Sequence, residues 1–139
     1  MKKTLAILLL LTLVVGCGDP VAELEGKGAR FTKTERGEVV GAVFPWSRVT
    51  DEGLVDLKGL TNLQKLTLTA TKITDAGLVH LKGMTNLDYL DLLETKVTDT
   101  GLVHLKGLNK LVSLLLPAQV TDAAVTELKK ALPNCKILH

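Results

Sequence analysis

The sequence predicts an α/β fold, a short solenoid of repeated strand–turn–helix units. Its parallel sheet is expected to be curved and concave, its short helices convex, and its amino end capped by a β-hairpin. Three observations carry that expectation. Val49-Thr50, Ile73-Thr74, Val97-Thr98 and Val120-Thr121 recur at intervals of 24, 24 and 23 residues, the period of a stacked repeat. Between these pairs runs L-x-x-L-x-L, through Leu63, Leu66, Leu68; Leu87, Leu90, Leu92; and Leu111, Leu114, Leu116. After each Thr-Asp comes Gly-Leu-x-x-Leu-x-x-Leu or a near copy, as in Leu54, Leu57, Leu60 and in Leu102, Leu105, Leu108. Alternation in L-x-L suits a strand with one buried face, and the later spacing of three suits a short helix with one apolar stripe. Parallel strands stack about 4.8 Å apart and packed helices about 8–10 Å, so the stack must curve with its sheet inside.

The 139 residues begin with Lys2 and Lys3 ahead of an apolar run, Leu5 to Val15, too short for a spanning helix. Residues 1–16 therefore read as a signal peptide. The segment "LVVGC" resembles a bacterial lipobox. That resemblance implies cleavage before Cys17, lipid on its sulfur, and an extracytoplasmic, membrane-anchored lipoprotein facing the periplasm or on the outer membrane. Gly18 in the place of Asp permits outer-membrane delivery by the same resemblance. The alternative on these residues is an ordinary secretory signal that happens to contain a cysteine. Without the leader, 15 basic residues face 15 acidic ones, so the mature chain offers no charge footprint for nucleic acid. Cys135 is then a lone thiol, with neither a disulfide framework nor metal-ligand spacing, and is expected to be a small buried hydrophobe.

Residues 17–29, with three glycines and little apolar content, read as a flexible tether. The domain proper is 30–139. Its cap hairpin should turn at Glu35-Arg36-Gly37 and lay residues 30–34 antiparallel to Val39–Phe44. "VVGAVF" is a degenerate copy, the domain holds about four repeats, Pro133 stops the last helix, and "CKIL" starts a closing strand.

Across about residues 37–139 the chain resembles the leucine-rich repeat family, in short bacterial versions of the form "L..L.L..T.vTD.GL..L..L". The resemblance implies the same curved solenoid. The residues between the leucines have mechanical roles of their own. Thr50, Thr74, Thr98 and Thr121 are expected to cap helix amides, and Asp51, Asp75, Asp99 and Asp122 to meet the helix dipole. Gly53, Gly77 and Gly101, with Ala124 last, mark a place for a small residue. Ser47, Thr71 and Thr95 are expected to bond turn amides.

Catalysis finds little support. Asp75 and His80 lie about 140° apart around a helix and cannot orient one another. His80 and His104 should stack in a convex column with Asp56 and Glu127, at a helix spacing that works against a zinc site. The bland reading is a solvated polar column, and Lys58, Lys82, Lys106 and Lys129 make a second, solubilising one. There is no nucleophile elbow and no phosphate-cradling loop, so no enzyme, no cofactor and no metal are expected.

The concave face is the better candidate, because there the copies disagree. Its outward residues run Gly41, Val43, Pro45; Lys65, Thr67, Thr69; Tyr89, Asp91, Leu93; and Ser113, Leu115, Pro117. Tyr89, Asp91 and Lys65 are expected to form a polar-aromatic centre, with Leu93 and Leu115 as exposed apolar area. Trp46 could be a ligand anchor or part of the cap. The expected function is a monomeric, non-catalytic binding module. Its expected partner is a protein, with peptide or glycan as further possibilities, and its expected contact with the membrane is through lipid. The alternative is a structural envelope component that self-associates or docks in a complex.

Overall fold

The computed structural model describes residues 19–44 and 49–139. Cys17 and Trp46, with the expectations attached to them, lie outside the described residues, as does Ser47. Among the described residues six strands form one sheet in sequence order: β1 (Arg30–Lys33), β2 (Val39–Val43), β3 (Lys65–Thr67), β4 (Tyr89–Asp91), β5 (Ser113–Leu115) and β6 (Lys136–Leu138). Only β1 and β2 are antiparallel; every later pair is parallel and advances by one repeat. Leu66, Leu90, Leu114 and Ile137 fall in one register row, which is why the alternating leucines read so clearly in the sequence. All four are buried, and the buried cluster runs from Leu24 to Ile137. The described core thus begins ahead of residue 30, at Leu24.

The amino-terminal hairpin turns as expected. Gly37 takes φ +83°, its amide donates to the Thr34 carbonyl at 2.9 Å, and the Thr34 amide donates to Glu38 at 2.9 Å. Phe31 meets Phe44 edge to face, with ring centroids 6.3 Å apart, and closes the core at this end.

The tether assigned to 17–29 is corrected. Helix α1 (Pro20–Gly26) occupies it, capped by Asp19, whose carboxylate accepts the Val21 amide at 3.0 Å. Leu24 is fully buried, Ala29 is buried beside it, and Lys27 reaches Asp56 at 3.8 Å. Asp-Pro before the helix and Gly28 at φ +94° after it are the start and stop signals that three glycines had masked.

The convex side holds less α-helix than a spacing of three residues suggested. Asp51–Gly59 and Asp99–Leu105 are 3₁₀ segments, and α2 (Asp75–Leu78) passes into a 3₁₀ turn at Val79–Leu81. Three residues per turn is the 3₁₀ period itself, so Leu54 and Leu57 stack on one line. Only α3 (Asp122–Ala131), in the last repeat, is a regular α-helix of some length.

Repeats are stapled through the Thr-Asp pair, and this changes the role expected for both residues. The Asp51 carboxylate accepts the Thr74 amide at 2.8 Å and the Thr74 hydroxyl at 2.5 Å. Asp75 takes Thr98 in the same way at 2.7 and 2.6 Å, and Asp99 takes Thr121 at 2.8 Å through each donor. The bonds from Thr121, first from its amide and then from its hydroxyl, hold the Asp99 carboxyl below its usual pKa, against a smaller opposing effect of desolvation. Capping survives only in part. Thr74 and Thr121 accept helix amides at 3.3 Å, while Thr50 and Thr98 make no such bond. In the two middle motifs the glycine now has a cause, while Gly53 meets only Val49 at 3.3 Å and Ala124 carries a Cβ of its own. A Cβ on Gly77 would overlap Asp51 Oδ1 and stand 3.1 Å from its Cγ, and Gly101 is crowded by Asp75 in the same way.

Thr71 and Thr95 also act differently from expectation. Their hydroxyls donate to the carbonyls of Leu68 at 2.7 Å and Leu92 at 2.8 Å rather than accepting turn amides. Both are buried, so the bonds satisfy hydroxyls that water cannot reach.

Candidate binding surface

Strand alternation turns two register rows out of the sheet. One runs Thr32, Gly41, Lys65, Tyr89, Ser113, Lys136, and the other Arg30, Val43, Thr67, Asp91, Leu115, Leu138. Lys65, Thr67, Tyr89, Asp91, Ser113 and Leu115 thus share the face expected of them, with Thr69 and Leu93 just beyond the strand ends. Within that face the residues divide. A depression of about 340 Å³ sits at its amino-terminal end, lined by Thr32, Val40, Gly41, Ala42, Val43, Gln64, Lys65, Thr67 and Tyr89. Lys65, Thr67 and Tyr89 line it; Thr69, Asp91, Leu93, Ser113 and Leu115 do not.

Gly41 lines the depression and has no side chain in the outward row, and Thr32 overhangs it so closely that a Cβ on Gly41 would stand 3.1 Å from the threonine Cβ. Sequence reasoning had Gly41 and Val43 in these rows but did not single out the depression. A missing side chain leaves no positive signal, and the overhanging Thr32 belongs to the cap hairpin, not to a repeat.

Asp91 is corrected from a surface group to a structural one. It is only 8% exposed, and its Oδ1 accepts the Leu93 amide at 2.9 Å. Its carboxylate also acts on the neighbouring Tyr89 phenol. Burial first, and then the neighbouring carboxylate, push the phenol above its usual pKa, so Tyr89 stays protonated and presents its ring as a wall. Leu93 and Leu115 are half-buried, so the apolar patch expected of them is smaller. The more exposed apolar side chains in the outward rows are Val43 at 39% and Leu138 at 47%.

On the convex side, Lys58, Lys82, Lys106 and Lys129 are all exposed. His80 and His104 are half-buried rather than freely solvated, and His80 Nδ1 is sealed from solvent with no hydrogen-bond partner among the described residues. Among the described residues no group of three or more His, Cys, Asp or Glu is placed to hold a metal. Cys135 is buried as expected, and burial raises its thiol pKa, which keeps it in the unreactive form.

This architecture, parallel strands in leucine register with short helical segments behind them, is the leucine-rich repeat solenoid. No family model matches the chain, and no curated protein matches it. Among solved structures it is similar to internalin C2 of Listeria monocytogenes, at 34% identity over 61% of this chain and 35% of that one, with a TM-score of 0.50. A second Listeria monocytogenes internalin matches at 18% identity over 61% and 30% of the two chains, with a TM-score of 0.45. A leucine-rich repeat protein of Leptospira interrogans matches at 21% identity over 61% and 27%, also at 0.45. The chain spans about a third of the length of these proteins. The fold is thus that of a leucine-rich repeat solenoid, of which internalin C2 is a solved bacterial example.

Proposed function

We propose that the chain is a monomeric, non-catalytic protein-binding module of the cell envelope, held at the membrane by lipid on Cys17, that takes its partner on the concave face. The observation that carries this reading is the contrast between two surfaces built from the same repeats. The Thr, Asp and Gly positions that staple the stack recur from copy to copy, while the outward strand positions, free of that duty, hold the depression and its tyrosine wall. Binding surfaces commonly centre on an aromatic anchor within a polar rim. The likeness to internalin C2 supports the solenoid on which such a face is carried.

Self-association loses the feature that suggested it, since Leu93 and Leu115 are half-buried. The test is capture from envelope extract by residues 18–139, set against two double variants. Thr67→Arg with Ser113→Arg, on the concave face, should abolish capture. Lys82→Glu with Lys106→Glu, on the convex face, should leave it intact; the reverse pattern overturns the reading. Anchoring is tested separately by radiolabelled palmitate in the full chain, and incorporation that persists in Cys17→Ser ends that part of the proposal.

A further inference from the structure

The depression and the charges around it together specify a ligand. Its nine lining residues include one ionisable cation, Lys65, and no carboxylate. The outward rows extend that imbalance: Arg30, Lys65 and Lys136 are exposed, whereas the one acid among them, Asp91, is buried and already bonded to the Leu93 amide. A mature chain that is neutral overall therefore turns a positive face inward. Glu94, the nearest exception, stands on the strand-exit turn and outside the depression. Val40, Val43 and Tyr89 supply the larger apolar residues of the lining, beside Gly41, whose Cβ position is overhung by Thr32.

We propose that the depression over Gly41 receives an apolar side chain of an acidic polypeptide segment, with a carboxylate beside that side chain pairing with Lys65. This rests on the concave-face reading above and adds the chemistry of the ligand. About 340 Å³ lies near the lower limit of small-molecule sites and suits one large side chain. A glycan site would call for exposed carboxylates and amides to take sugar hydroxyls, and here Gln64 is the one amide and no acid is present. Lys65, at the lip and in water, contributes steering and selectivity more than raw affinity.

The experiment is selection of phage-displayed random peptides on residues 18–139, followed by titration of the recovered peptides against variants. The expected peptides carry two or more acidic residues flanking a Leu, Ile, Phe or Met. Lys65→Glu should weaken them by about tenfold or more, Gly41→Leu should block them, and the convex Lys82→Glu should leave them unchanged. Gly41→Leu crowds Thr32 and could disturb the cap, so Lys65→Glu, an exposed position, is the deciding variant. Recovered peptides that are neutral or basic, or that bind Lys65→Glu undiminished yet fail on Thr67→Arg with Ser113→Arg, overturn the ligand assignment and leave the concave-face reading standing. Peptides indifferent to that double variant, or no enrichment at all, overturn both.

Discussion

Asp51 carries two jobs for its neighbour at once: it accepts two hydrogen bonds from Thr74, and it fills the space that Gly77 leaves open. Part-buried carboxylate bonds of this kind are costly to break, because both donors of Thr74 lose their partner. Gly77→Ala drives a methyl into that carboxylate and is expected to cost about 2 kcal/mol. Gly83→Ala has nothing within 4 Å of the added Cβ and is expected to be neutral or slightly stabilising. Urea unfolding of the two variants side by side checks this, and equal changes would mean that the contact with Asp51 does not set the cost at 77. The sequence marked these positions as special, yet it misassigned the partner. Thr-Asp before an apolar run is the signature of a helix start, and nothing local shows that its carboxylate faces a residue 23 places on. Ala70 and Glu94 were missed altogether. Both take the left-handed region, at φ +57° and +55°, without the glycine or asparagine that would have announced it.

Elements were legible where a period was clean and obscure where an element was short. Strands β3 to β5 follow directly from L-x-L, and the hairpin from Glu-Arg-Gly between two β-branched runs. Helix α1 did not show, because seven residues with one buried anchor leave no periodic signal. Yet that anchor seals the first convex segment: Leu24 packs into the common core while Lys27 holds Asp56 from above. Leu24→Ala should therefore cost about 3 kcal/mol, in the range of a fully buried leucine, although the residue lies next to the predicted leader. Thermal unfolding of residues 18–139 with and without the change is the measurement, and a shift within error would return the segment to the status of a tether.

At the scale of the whole molecule, each repeat touches only its neighbours, and every interior junction uses the same three parts: Asp, the Thr beyond it, and a small residue three places after that Thr. A stack of this type gains stability from each added interface. Inserting a second copy of residues 74–97 between 97 and 98 should yield a folded, longer solenoid. Its urea m-value and midpoint should both rise, since more surface is buried and one more junction is made. A fall in either would show that the two ends fit only this length. Overall architecture was the most legible property in the sequence, since curvature follows from the spacing of strands and helices. The position of the depression was not, because it arises where the cap hairpin meets the first copy and the period does not apply.

The staple also constrains how the chain can change over generations. Because Asp51 occupies the space in front of Gly77, the two sites are coupled: a Cβ at 77 requires the Asp51 carboxylate to shift or shorten. The two lie 26 positions apart and in different copies. Descendants of this sequence should therefore show paired substitutions across repeat boundaries, with single ones rare, so that duplication has tied the copies into a common fate on the convex side while leaving Lys65, Tyr89 and Ser113 free to diverge one by one.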